Sequence, residues 1–174
     1  RLEVFDSLCA SMGEGLLVYH AAKLCQEGKS LDEVLAWLKA NALRLCHWFT
    51  VDDLNHLKRG GRVSTATALV GTILNIKPVL HVDNEGHLIP VAKVRGRKQS
   101  LDALVKRMEE TAENPAEQMV FISHGDCLED AQYVARLVSE RMGVKDIRIN
   151  YVGPVIGAHS GPGTLALFYL GTER

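Results

Sequence analysis

Seven residues near the end of the chain, Gly157-Ala158-His159-Ser160-Gly161-Pro162-Gly163, carry the most suggestive spacing. Three glycines and a proline around an imidazole specify a loop whose backbone can approach a ligand closely. The run partly matches the G-x-S-x-G elbow of serine hydrolases. Its central residue is His159, however, and Ser160 sits off-centre, so nucleophile geometry is not specified. No Asp or Glu lies in the loop to orient His159. A histidine in a loop after a strand, where α/β folds commonly hold ligands, is the reading favoured here.

Two basic runs could hold an anion. Lys58-Arg59-Gly60-Gly61-Arg62-Val63-Ser64 places two arginines around a Gly pair. Guanidinium forks suit carboxylate and phosphate oxygens, and backbone N–H groups at a helix start would add to such a site. The same residues also fit a solvated helix end whose cations complement the dipole, and both readings stay open. Lys93-Val94-Arg95-Gly96-Arg97-Lys98 has four basic residues at a strand end. For that run alone, solvation is the simpler account.

Other patterns are weaker. Gly13-Glu14-Gly15-Leu16-Leu17-Val18 half-matches the dinucleotide fingerprint, but Val18 stands where the third Gly belongs. A tight turn into a helix explains it better. Ser123-His124-Gly125-Asp126 reads as a strand end followed by an Asp N-cap. The remaining histidines fall at no metal-ligand spacing, so no metal is expected. Cys9, Cys25, Cys46 and Cys127 form no C-x-x-C pair and are expected as free thiols of a reducing cytosol.

The elements that must position these residues follow from periodicity. The chain has 174 residues, 47% hydrophobic and 24% charged, with a net charge of −1. That is globular, and it disfavours general nucleic-acid binding, which needs a basic excess. No apolar run reaches the ~18 residues of a membrane span, so integral membrane association is not expected. Residues 1–6 (R-L-E-V-F-D) read as a strand, which suggests a chain truncated upstream. A helix is predicted over 15–27, then a capped helix from Ser30-Leu31-Asp32-Glu33 to about Ala42. Strands are predicted at 44–51, 79–82, 87–94, 118–124, 145–152 and 164–170. Helices are predicted at 53–58, 64–74, 98–112 and 127–142, with a Gly/Pro-rich loop at 153–163. Alternating strands and helices, with a hairpin at 79–94, predict an α/β fold with a mixed sheet layered with helices. The division falls near residue 44. Residues 1–43 would make a poor domain alone, and residues 44–174 a self-sufficient one.

Taken together, six segments resemble the DegV family in family order: Asp6–Gly15, Leu57–Ser64, Leu74–Leu80, Lys93–Arg95, Ser123–Ala131 and Val152–Gly163. The resemblance implies two α/β domains with a long-chain fatty acid in a tunnel between them. It places the carboxylate near His159, Ser160 and Gly161, in the family's G-x-H-x-G-P-G pattern. It assigns Arg59, Arg62 and Arg95 to the rim, facing a partner or phosphate. The partner it implies is a dihydroxyacetone-kinase-like fatty acid kinase, which makes the acyl phosphate. The carrier itself would be cytoplasmic, with no catalytic residue and no cofactor. The family's Thr-Ser-Gln-Pro-Ser-like loop, whose hydroxyls hold the carboxylate, is not in this sequence. Residues 1–43 are then expected to be the tail of the first domain. Ala66, Ala68, Leu69 and Gly71 would suit a tunnel wall. The alternatives are a hydrolase using His159 as base, and an interaction domain without a ligand.

Overall fold

The structure, a computed structural model, describes residues 1–64 and 75–174. The helix predicted at 64–74, with its small residues, lies outside the described residues from 65 onward.

Twelve named elements carry the fold among the described residues. α1 (Met12–Gln26) and α2 (Leu31–Asn41) precede β1 (Leu45–Thr50) and the short α3 (Leu54–Arg59). β2 (Ile76–Val82) and β3 (Leu88–Arg95) form the hairpin, followed by α4 (Arg97–Thr111). β4 (Met119–His124), α5 (Leu128–Met142) and β5 (Asp146–Tyr151) follow, then α6 (Pro154–Ser160) and β6 (Leu165–Leu170).

The six strands form one sheet in the order β3-β2-β1-β6-β4-β5. Only β4 and β5 pair in parallel, and α5 supplies the crossover that a parallel pair requires. The other ladders are antiparallel. The predicted mixed α/β sheet is therefore present.

Period-two alternation sends the strand residues to two faces. Cys46, Trp48, Val79, Leu165, Leu167 and Tyr169 belong to a core cluster with Leu104, Val105 and Met108 of α4 and Val134 and Val138 of α5. Leu45, Phe49, Leu80, Ala166 and Phe168 belong to a second cluster with Leu16 and Leu17 of α1 and Leu57 of α3. β1 is buried from end to end because both its faces are covered.

Local signals explain most boundaries. Ser30 and Glu33 form the predicted capping box, with Ser30 Oγ accepting from Glu33 N at 3.3 Å and Glu33 Oε2 accepting from Ser30 N at 2.9 Å. The Asp53 side chain accepts from Asn55 N at 2.8 Å and caps α3. Gly143, with φ 70°, ends α5.

Three expectations need correction. Residues 1–6 form no strand. Leu2 and Val4 are 89% and 91% exposed, and among the described residues no strand pairs with this segment. The 153–163 segment is not all loop. Pro154 at the first helical position opens α6, where its missing N–H costs nothing. Asp126 is not the cap of α5. It has φ 56°, and Cys127 takes the N-cap position. There His124 Nδ1 accepts from Cys127 N at 3.2 Å.

Candidate functional site

The face of the sheet that carries α1 and α3 leaves a cleft of about 240 Å³. Its floor is His47, Phe49, Ala166 and Phe168 from β1 and β6, all of which share that face. Leu57 of α3, Val155 and Ile156 of α6, and Val82 and Leu88 of the hairpin make apolar walls. Arg62, His159, Ser160 and Thr164 bring polar groups to the lining. Ser11 and Ser123 add hydroxyls, with Oγ atoms 3.2 Å apart.

The sequence candidates separate into two sets. His159, Ser160 and Arg62 all line the cleft. His159 sits directly over Gly60, where a Cβ would collide with His159 Nδ1. This close approach explains one Gly of the Gly60-Gly61 pair and packs α6 against α3. Arg62 Nη1 donates to Gly60 O at 2.7 Å, which draws its guanidinium back over the same turn. Ser160 is 4% exposed, and its hydroxyl donates to Ile156 O at 2.9 Å. Gly161 follows α6 with φ 79°, a region that favours glycine, and its N–H donates to Gly157 O at 2.8 Å.

Arg59 and Arg95 do not line the cleft. Arg59 is exposed, and its Nη2 donates to His56 Nδ1 at 3.0 Å. Arg95 is exposed on edge strand β3, opposite Ile76. Its neighbour Arg97 is structural, with Nε 2.8 Å from Asp130. Lys77 Nζ lies 2.8 Å from Asp52. The half-match to a dinucleotide loop has no strand before it; Gly13 and Gly15 lie in the first turn of α1.

Sequence reasoning missed His47, Ser11 and Ser123. His47 is 2% exposed and its ring nitrogens are shut off from solvent, with Gly13 against Nε2 and the Leu45 backbone beside the ring. Burial first, and then the charge of Arg174, lower its pKa to about 3, so the ring is neutral. It meets Phe168 edge-on at 5.5 Å. Its sequence signal was a lone imidazole inside an otherwise apolar stretch of strand. Away from the cleft, the β2–β3 turn brings Asp83, Glu85 and His87 together on the surface, with His87 Nδ1 3.5 and 3.4 Å from the two carboxylates.

Gly13 rests on that histidine, and a Cβ there would collide with His47 Nε2. Gly13→Ala is expected to cost about 1–3 kcal/mol by overpacking. Chemical denaturation of Gly13→Ala, His47→Ala and the double variant checks this. The double variant should recover part of the loss, and strict additivity would disprove the contact's role.

The sequence profile of the DegV family, a family of uncharacterised proteins, matches residues 1–172. The chain belongs to the DegV family. A DegV domain-containing protein of Clostridium perfringens is 50% identical over 173 residues, covering 99% of this chain and 60% of that protein. The structure of a fatty-acid-binding DegV family protein from Thermus thermophilus is 33% identical, with a TM-score of 0.83 over 98% of this chain and 61% of that one. The Fatty Acid Kinase B3 protein of Streptococcus pneumoniae, loaded with linoleic acid, shares the fold at a TM-score of 0.89 and 24% identity, over 98% of this chain and 60% of that one. The DegV chain described here thus spans about 60% of the length of the relatives it matches. Among its described residues, no helix is long and apolar enough to cross a membrane.

Proposed function

We propose that this DegV chain is the larger part of a cytoplasmic carrier that binds one long-chain fatty acid and presents its carboxylate to a separate kinase. The observation that carries this reading is the cleft itself. It combines an aromatic and aliphatic lining with polar groups from His159, Ser160 and Arg62. A burial gain of ~0.8 kcal/mol per methylene gives a sixteen-carbon chain roughly 12 kcal/mol before association costs. The carboxylate needs donors, or burial would neutralise it. His159, the hydroxyls of Ser11 and Ser123, and Arg62 are the groups proposed to supply them. Arg59 and Arg95, on the outer surface, are proposed to face the kinase and its phosphate. The same reading assigns residues 1–43 to the end of a preceding α/β domain, held to the sheet here through Leu16 and Leu17. Phosphoryl transfer, by a kinase of the dihydroxyacetone-kinase type, then needs no cofactor of the carrier's own.

A hydrolase reading is less well supported. The Ser160 hydroxyl is engaged with Ile156 O and not with His159. Among the described residues, no carboxylate orients the His159 ring.

The test uses the natural protein that carries this sequence. Organic extraction followed by mass spectrometry should release a fatty acid at close to one per chain. A protein that carries none and takes up none when it is added would end the carrier reading. His159→Ala should lower acid retention, or kinase-dependent acyl-phosphate formation, by about tenfold. Unchanged values in both would remove His159 from the site.

A further inference from the structure

Two histidines are exchanged across the contact between α3 and α6. His159 of α6 rests on Gly60, the C-cap of α3. His56 of α3 rests on Gly161, the C-cap of α6. A Cβ at Gly161 would lie 2.5 Å from His56 Cδ2, so the ring is wedged against the backbone that follows His159. The carrier reading gives His159 a task and leaves His56 without one.

A flat apolar ring would fill the seat on Gly161 as well. What the imidazole adds lies at its other edge. Cγ, Cδ2 and Nε2 face Gly161, while Nδ1 faces Arg59 Nη2 at 3.0 Å. A guanidinium has donors only, so Nδ1 must offer its lone pair to Arg59. Among the described residues, no carboxylate pairs with the exposed Arg59, and its charge stays available to an anion. An exposed arginine loses rotamer freedom when it docks on a partner, and one already held by a hydrogen bond loses less.

We propose that His56 is a positioning residue that aims the Arg59 guanidinium at the kinase or its phosphate. This rests on the carrier reading, which places Arg59 at that contact, and adds the group that orients it. Because the same ring is wedged on Gly161, the end of the His159 helix and the Arg59 side chain are held by one imidazole.

The experiment uses the natural protein loaded with hexadecanoic acid, ATP, and the dihydroxyacetone-kinase-type kinase encoded by the same genome. Acyl-phosphate formation is followed with the loaded carrier as the varied substrate. His56→Phe keeps a ring on Gly161 and removes the lone pair; it should raise KM for the carrier about fivefold and change kcat little. His56→Asn offers an amide oxygen as acceptor and should recover most of that loss. In an Arg59→Ala background, His56→Phe should add nothing, because the two residues act as one unit. Urea midpoints and acid bound per chain show that each variant is folded and loaded. An unchanged KM in His56→Phe, no recovery in a fully loaded His56→Asn, or strict additivity with Arg59→Ala overturns the proposal and leaves the carrier reading standing. If wild type takes up no acid, the carrier reading falls, and this proposal falls with it.

Discussion

Between pH 6.5 and about 4, the folded chain should lose stability at up to about 1.4 kcal/mol per pH unit because of His47 alone. In the unfolded chain this imidazole takes a proton near its ordinary value of 6.5, whereas burial lowers its folded pKa to about 3. The unfolded state therefore binds more protons across that window, and falling pH favours it. Above pH 6.5 both states are neutral at this residue and the effect vanishes. His20 and His81 are also lowered, chiefly by burial, and act in the same direction. Urea denaturation at pH 7.0, 5.5 and 4.5 is the measurement. His47→Phe should flatten the acid limb by about 2 kcal/mol over two pH units. Parallel limbs for the two proteins would mean that the folded chain protonates His47 without opening.

Arg174→Ala is expected to cost about 3 kcal/mol or more, a large effect for a residue beyond the last strand. The Arg174 guanidinium donates to Ser7 O at 3.2 Å, Leu8 O at 3.0 Å, Ala42 O at 2.7 Å, Leu45 O at 3.2 Å and Asp83 O at 3.1 Å. It also contacts Cys9 Sγ at 3.2 Å. One planar cation thus joins the segment before α1, the start of β1 and the β2–β3 turn. Five carbonyls would lose this donor together, four of them in partly buried bonds and Leu8 O in an exposed one. Lysine has a single donor centre and cannot reach all of them, so Arg174→Lys should recover only a fraction. Hydrogen exchange gives a second readout, because the amides of residues 7–13 should lose protection before those of β4. A variant as stable as wild type would show that these contacts are replaced by water without loss.

The sequence showed the sheet clearly and the site only in part. Strands such as Met119–His124 and Leu165–Leu170 were legible because apolar runs bounded by turn residues leave few alternatives. α2 was legible because the Ser30–Glu33 pair has one physical purpose. Residues 1–6 misled because alternation is necessary for a strand but a partner is what makes one. α6 was hidden by Gly157, although Gly153-Pro154 is a recognisable start. At the site, His159 was legible from the Gly-rich backbone around it. His47 was not, because its meaning comes from Gly13 and Phe168, which are far away in sequence. Arg174 was beyond reach for the same reason, since carbonyl acceptors leave no mark in a sequence.

The sheet also acts as a partition. On one face, α4 and α5 seal a core that shares no residue with the cleft lining. On the other face, the floor of the cleft is His47, Phe49, Ala166 and Phe168. A cleft substitution and an α4–α5 core substitution more than about 7–10 Å apart, with no shared partners, should have additive free energies. Residues on the cleft face can then be exchanged while the α4–α5 core keeps the chain above its folding threshold. A fold arranged this way is evolvable: one face supplies constancy, and the other is free to diversify.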